Sequence, residues 1–410
     1  MKQVQVIGLG LGPQDLTPRM AEAIEKAEVL AGGQRLLNWI PHHAGIRLEL
    51  AGGLDAWLDK VAELARDKSV AILASGDPGF FGVAKAVVKR LGSENVLIIP
   101  NVSAMQAACA RLNLPWGNAS HVSLHADDEK VWARLWQAMS QSDLVSVYTR
   151  PGLGPAEIAS ALSERGLENW RMRVLENLGA VDECISVCSP NDAADKSFSA
   201  LSVVLLERIA QPVSPRLGLP EDQYQHEKGL ITKAEVRAVA LAKLELGPGM
   251  TLWDIGAGSG SLGIEASLLM PGGRVVALEQ HPKRVKMIGT NLGRFGVGML
   301  EIAQGKAPEA LSALPTPHRV FIGGGGRELE EIVQATAERL PKNGIMVASA
   351  VLLESLEKAR ASMSKAGLTV DQTLIQISRS SDVAGQTMMQ ALNPVWLIRG
   401  KKTAGENGDE

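Results

Sequence analysis

Between residues 252 and 267 the chain reads Leu252-Trp-Asp-Ile-Gly-Ala-Gly-Ser-Gly-Ser-Leu-Gly-Ile-Glu-Ala-Ser, and no other stretch restricts the fold so tightly. An apolar strand ends at Asp254–Ile255, glycines follow at 256, 258 and 260, and a helix begins at once. Glycines there let the backbone turn sharply and approach a ligand closely, with the amides of the helix N-terminus facing it. Asp254, at the strand end, is placed to receive a cationic or polar group of that ligand. Nineteen residues past Gly260, Glu279 closes the next strand, Arg274-Val-Val-Ala-Leu-Glu, the position from which an acid holds ribose hydroxyls. Gly258-Ser-Gly-Ser-Leu-Gly263 is also a literal G-x-G-x-x-G, so a nicotinamide dinucleotide oxidoreductase is an alternative reading. Asp254 favours the charged amino-acid end of S-adenosylmethionine, because a carboxylate before the first glycine would crowd a pyrophosphate. The candidate contacts are Asp254, Gly256, Ala257, Gly258, Ser259, Gly260 and Glu279.

Short β-branched runs alternate with helical segments on both sides of this loop, which predicts an α/β chain. Prolines 212, 215 and 220 mark residues 208–228 as an extended connector between a domain at 1–207 and a domain at 229–400, with a flexible polar tail at 401–410. Strands are expected in the first domain at Val4–Ile7, Val70–Leu73, Val96–Ile99, Leu144–Tyr148, Arg173–Leu175 and Val203–Leu206. Helices are expected at Thr17–Ala27 and Phe81–Leu91. The second domain opens with a helix over Thr232–Leu244, where Thr232 and Glu235 have capping-box spacing. Seven strands follow, at Leu252–Ile255, Val275–Leu278, Leu300–Ala303, Val320–Ile322, Ile345–Ala348, Leu374–Ile377 and Val395–Ile398. The last two lack an intervening helical pattern, which predicts a mostly parallel open sheet with an antiparallel edge.

Composition trims the alternatives. A net charge of −3 argues against electrostatic binding of long nucleic acid. No stretch of 18 apolar residues occurs, and the N-terminus lacks the apolar run of a signal peptide, so a cytoplasmic protein without membrane attachment is expected. Three cysteines make no disulfide framework; Cys184-x3-Cys188 reads as two small core residues of a strand. His121 and His125 also fall in a strand, which removes the helical spacing of a metal pair, and no metal is expected.

The first half has its own glycine loop, Val6-Ile-Gly-Leu-Gly-Leu-Gly-Pro-Gln-Asp-Leu-Thr-Pro. Ala74-Ser-Gly-Asp-Pro-Gly-Phe-Phe-Gly and Ile99-Pro-Asn-Val-Ser-Ala-Met-Gln-Ala-Ala follow later strands, and Ser103 is placed to cap a helix. In this order the three segments resemble the tetrapyrrole methyltransferase family over residues 3–207, although Asn101 stands where that family usually has glycine. The resemblance implies a cofactor site at Gly8, Gly10, Gly12, Ser75, Gly76, Asp77, Pro78 and Ser103.

The second half resembles the decarboxylating precorrin methyltransferases, whose fold is a seven-stranded Rossmann-like sheet. Ile231-Thr-Lys-Ala-Glu-Val-Arg, the Asp254 loop, Val320-Phe-Ile-Gly-Gly and Leu392-Asn-Pro-Val carry the match. It implies further cofactor contacts at Thr232, Gly305 and Ala307. Lys306 stands where the family usually has an acid, and Ser349 replaces a common asparagine. A fusion in this order is similar to the bifunctional C5,15-methylating enzymes of cobalamin biosynthesis. That implies two S-adenosylmethionine sites, one per domain, C5 methylation by the first and C15 methylation with decarboxylation of the C12 acetate by the second. It also implies a small-molecule tetrapyrrole substrate and a homo-oligomer.

A sulfonium is already activated, so positioning and exclusion of water suffice and no metal or covalent nucleophile is required. No residue is assigned as the catalytic acid or base. The substrate carries several carboxylates, which makes Arg237 a candidate to meet it, whereas the basic cluster Lys283, Arg284 and Lys286 after His281-Pro reads first as a solvated helix face. Gly323 and Gly324, in the tract Gly323–Gly326, would let the acceptor approach the methyl group. A non-catalytic tetrapyrrole carrier is the remaining alternative.

Overall fold

The computed structural model describes residues 2–125, 130–227, 229–324 and 326–403. Three sheets follow one another along the chain. The first contains β1 (Val4–Gly8), β2 (Val29–Gly32), β3 (Ile46–Glu49), β4 (Val70–Ala74) and β5 (Val96–Ile99), all parallel, in the order β3-β2-β4-β1-β5. Helices Pro18–Glu25, Leu54–Leu64 and Ala84–Leu91 lie between them in sequence. Crossovers cover both faces of a parallel sheet, which is why β4 reads Val-Ala-Ile-Leu-Ala and is buried throughout.

The second sheet contains β6 (Ser120–Ser123), β7 (Leu144–Tyr148), β8 (Trp170–Glu176), β9 (Cys184–Cys188) and β10 (Ser202–Arg208), in the order β6-β7-β10-β8-β9. Only β6 and β7 are parallel. Cys188 is buried in β9, but Cys184 is exposed, so the pair is not a core pair as expected.

The third sheet is built from β11 (Thr251–Ile255), β12 (Arg274–Glu279), β13 (Leu300–Gln304), β14 (Arg319–Ile322), β15 (Ile345–Ala350) and β16 (Thr369–Ile375). A hairpin of β17 (Ser378–Val383) and β18 (Gln386–Ala391) then leads to β19 (Val395–Lys401). The order is β13-β12-β11-β14-β15-β19-β16, a seven-stranded Rossmann-like sheet. β19 runs antiparallel to both β15 and β16, so the antiparallel strand lies one place inside the edge rather than at it. The chain leaves β11 toward β12 on one side and returns as β14 on the other, and in open α/β sheets ligands bind beyond the carboxyl ends of strands at such a reversal.

The connector is pinned rather than free. Ile209 N–H donates to Asn169 O at 2.9 Å, Val213 N–H to Arg294 O at 2.9 Å, and Leu219 and Tyr224 are buried. One continuous apolar cluster joins the second sheet to the third, through Trp136, Val145 and Trp170 to Phe295, Leu252 and Val275. Glycines permit that contact: a Cβ on Gly298 would lie 2.6 Å from the Trp136 ring, and one on Gly293 would lie 2.4 Å from Gly166 O. Trp136 is therefore a contact within the chain, and Trp57 is core of the first domain.

The second domain's opening helix runs Ala234–Leu244, not from Thr232, and Lys233 at its N-cap makes no side-chain cap. Glu221 of the connector supplies it instead, accepting from Ala234 N–H at 2.7 Å. Glu235, expected in a capping box, binds Arg379. Of the expected flexible tail, Lys401 belongs to β19 and Lys402 N–H donates to Gly344 O at 2.9 Å, while 404–410 lie outside the described residues.

Candidate active site

A cavity of about 800 Å³ opens at the carboxyl ends of β11, β12 and β14. Of the residues expected to touch cofactor or substrate in this domain, it brings together Thr232, Asp254, Gly256, Ala257, Gly258, Ser259, Glu279, Gly305, Ala307, Gly323 and Gly324. Gly260 and Arg237 are not in its lining.

The loop after β11 is held from below. Glu279 is 3% exposed, accepts from Gly258 N–H at 3.0 Å through Oε2, and accepts from His281 N–H at 3.0 Å through Oε1. Gly256, Gly258 and Gly260 have φ of +72°, +60° and +74°, which a side chain would strain. Their surroundings differ. A Cβ on Gly260 would sit 3.0 Å from Ile288, so Gly260 serves packing against helix Pro282–Phe295, whereas a Cβ on Gly258 would meet nothing closer than Gly256 O at 4.0 Å. Gly263, third in the G-x-G-x-x-G pattern, sits against Leu300 and Val275, the close helix–strand packing that spacing encodes.

Asp254 is 1% exposed and its Oδ2 has no hydrogen-bond partner in the protein. Burial pushes its carboxyl up to about 7; the charge of Glu279 adds to this and the Gly263 amide opposes it. A buried acceptor left unsatisfied costs free energy until a donor arrives. Glycine positions open toward the cavity, an orphaned carboxylate oxygen and a ribose-spaced acid form a fitting receptacle for an amino-acid-bearing nucleoside such as S-adenosylmethionine. A Cβ on Gly324 would likewise meet nothing within 4 Å, while Gly323 abuts Gly256 O. Gly325 of the same tract lies outside the described residues.

Arg237 requires a correction. It is fully buried in an ion pair with Glu265, also fully buried, at 2.8 Å, and it donates to the carbonyls of Thr232 and Leu219. Glu265 accepts in addition from Gly218 N–H at 2.8 Å, Leu219 N–H at 3.2 Å and Tyr224 O–H at 3.0 Å. The guanidinium thus ties the connector to the domain and cannot meet a substrate. Lys283 and Arg284 pair with Glu227 at 3.2 and 2.8 Å in a more exposed setting, and of the two Arg284 lines the cavity. Lys306 faces the cavity paired with Glu328 at 2.9 Å.

Sequence reasoning passed over Asn291. Fully buried, it donates to Ser259 O at 2.9 Å and Gln225 O at 2.9 Å and accepts from Gln225 N–H at 2.8 Å, so it fixes the glycine loop to the connector. Its signal was an asparagine within the apolar stripe Ile288–Leu292–Phe295. Gln280, Val351, Leu392 and Asn393 also line the cavity without having been expected there.

The first domain's loops converge differently. Gly76 N–H donates to Gly10 O at 2.8 Å, pairing the two glycine segments directly. A Cβ on Gly8 would lie 2.6 Å from Gly76 O and 2.9 Å from Pro78, one on Gly10 would strike Asp15, and one on Gly12 would strike Gln14. Asn101, in place of glycine, donates to Gly8 O at 3.0 Å and Asp15 O at 3.1 Å. Ser103 caps helix Ala104–Arg111 in a capping box with Gln106. Ser75 is exposed and accepts from Arg35 at 3.3 Å; Asp77, half-buried, accepts from Gly79 N–H at 2.7 Å.

Comparison with known proteins adds the chemistry. The Tetrapyrrole (Corrin/Porphyrin) Methylases family matches residues 3–192 and the Precorrin methyltransferase domain family matches 222–402. A precorrin-6Y C(5,15)-methyltransferase [decarboxylating] of Sinorhizobium sp. is 32% identical over 405 residues, 95% of this chain and 94% of that protein. The chain belongs to this family. The precorrin-6Y methyltransferase family is an S-adenosylmethionine-dependent one, which removes the oxidoreductase and carrier readings. The chain is also 42% identical over 184 residues to a probable cobalt-precorrin-6B C(15)-methyltransferase (decarboxylating) of Pyrobaculum calidifontis, 44% of this chain and 94% of that protein. A crystal structure of precorrin-6Y C5,15-methyltransferase from Geobacter metallireducens, 42% identical, covers 47% of this chain and all of that chain with a TM-score of 0.45. Among the described residues no helix is long and apolar enough to cross a membrane.

Proposed function

We propose that the chain methylates precorrin-6B at C5 and C15 and removes CO2 from its C12 acetate side chain, giving precorrin-8. The second domain carries C15 methylation and the decarboxylation, the first carries C5 methylation, and each binds its own S-adenosylmethionine. The observation that carries the reading is the cavity beyond β11, with Asp254 Oδ2 unsatisfied at its floor and Glu279 beside it. S-adenosylmethionine supplies an activated methyl group when bound.

The protein's task is placement. Asp254 holds the ammonium end and the Glu279 carboxylate takes the ribose hydroxyls, while Gly256–Gly258, whose amides are given to Leu278 O and Glu279, let the backbone approach the nucleoside closely. Thr232, Gly305 and Ala307 close the nucleoside side of the same cavity. Gly323 and Gly324 keep the opposite wall free of side chains, so an electron-rich ring carbon of the acceptor can reach the methyl in line. In the first domain the tightly paired Gly10 and Gly76 present Ser75, Asp77 and Pro78, and Ser103 shapes the neighbouring helix start. Mass spectrometry after incubation with precorrin-6B and S-adenosylmethionine tests the proposal. A gain of two methyl groups with loss of one CO2 is expected; a product with one added methyl and its carboxylate intact contradicts it.

A further inference from the structure

The cations at and near the cavity are largely spoken for, which is unusual for a site that takes a polycarboxylate: Lys283, Arg284 and Lys306 all bind carboxylates of the protein. What the cavity rim exposes instead is apolar. Val351, Leu352 and Leu353, three consecutive residues directly after β15, are 55%, 63% and 67% exposed, and Leu230 is 55% exposed. Val351 and Leu230 both line the cavity. Single exposed apolar residues are ordinary, but a contiguous run beside a ligand cavity marks a binding surface.

Register places this run beside the point of reaction. Ile322 of β14 pairs with Ala348 of β15, so Gly323–Gly324 leave the sheet beside the last residues of β15, Ser349 and Ala350, and Val351 follows directly. Leu352 is the N-cap of helix Leu353–Lys365 and offers no side-chain oxygen to cap it. A serine, threonine or aspartate would serve that helix better. The sequence keeps large apolar groups in water where local stability favours a polar one.

We infer that Val351, Leu352 and Leu353, with Leu230, form an apolar ledge that receives one face of the tetrapyrrole acceptor and sets the ring carbon over Gly323–Gly324. The inference rests on the proposed function and extends it to the acceptor. The macrocycle face supplies apolar area matched to the ledge, and its carboxylate arms stay in water at the rim. Lys233, which lines the cavity and makes no ion pair among the described residues, is the cation left to meet one arm. Specificity then comes from fit to a flat ring rather than from a basic pocket.

The test uses the full chain with Leu352→Asp and Leu353→Asp together, and Leu352→Ser alone as a milder variant. Steady-state kinetics with precorrin-6B and calorimetric binding of S-adenosylhomocysteine are measured side by side. The double variant is expected to raise KM for precorrin-6B at least tenfold with S-adenosylhomocysteine affinity within twofold of wild type. Leu352→Ser is expected to raise KM less, and Leu352→Met to restore it. KM within twofold in every variant overturns the ledge, as does a change confined to sedimentation behaviour, which would make the run a contact between copies. A wild-type chain that leaves precorrin-6B unaltered removes the functional reading together with the ledge, whereas an active wild type with indifferent variants removes the ledge alone.

Discussion

The chain has two glycine-rich loops after a first strand, and they use glycine for opposite ends. After β1, the missing side chains of Gly8 and Gly10 make room for the protein itself, for Gly76 O, Pro78, Asn101 and Asp15. The nearby Asp15 carboxylate is satisfied by Leu11 N–H at 2.8 Å. After β11, Gly260 and Gly263 also make room for protein, but the position beside Gly258 is open, as is that beside Gly324 after β14, and the Asp254 carboxylate is buried with one oxygen unsatisfied. A glycine motif therefore does not of itself mark a ligand contact. It marks a close approach, and what approaches must be read from the groups around it.

The comparison breaks hardest at Arg237, which supports the second loop through Thr232 O without facing the cavity. Arg237→Met leaves Glu265 buried and unpaired, which costs about 3–5 kcal/mol. Thermal unfolding of the variant should show that loss with KM for precorrin-6B unchanged. An unaltered Tm with a raised KM would return Arg237 to the substrate. Next come the glycines. Gly8→Ala forces a Cβ against backbone and is expected to destabilise by about 1–3 kcal/mol. Gly324→Ala, in open space, should stay within about 0.5 kcal/mol in denaturant unfolding while C15 methylation slows.

Asp254 gives the second loop a pH signature. Its carboxyl titrates near 7, and pairing with the ligand's ammonium requires the ionised form. Affinity at the second site should therefore rise by about tenfold between pH 6 and 8, with proton release on binding at the lower pH. Asp254→Asn should abolish the rise, which calorimetry in buffers of different ionisation enthalpy reads directly. In the ligand-free protein the sign reverses. A folded-state pKa raised above the unfolded value near 3.8 means stability is greatest below that value and is lost as pH climbs toward 7. The smallest effect belongs to the first domain: Ser103→Ala removes a capping box and should cost about 1 kcal/mol in thermal unfolding.

The second domain was far more legible than the first. The strands β11, β12, β14 and β15 are apolar and end at glycine turns or helix starts, so their succession along the chain could be anticipated even where the intervening helix is as short as Ser261–Ala266. β2 was missed because four buried residues, Val29–Gly32, follow helix Pro18–Glu25 almost without punctuation. β3 was missed because it is a mostly exposed edge, Ile46–Glu49, with no alternation. The β17–β18 hairpin turns through Ala384 and Gly385 at φ +52° and +77°, a two-residue turn with positive φ at both positions but without the usual asparagine or aspartate before glycine. At the site, Asp254, Glu279 and the glycines could be found because strand, turn and helix signals coincide in sequence. Arg237 was misjudged, and Asn291 was missed, because their partners Glu265 and Gln225 are 28 and 66 residues away. Nothing local in the chain announces such pairs.

The account turns on two cofactor sites of different construction, and counting them is the most direct test. Titration of the intact chain with S-adenosylhomocysteine should find two sites, of which Asp254→Asn weakens one and leaves the other unchanged. A single site in the intact chain, or equal weakening of both by Asp254→Asn, would contradict it.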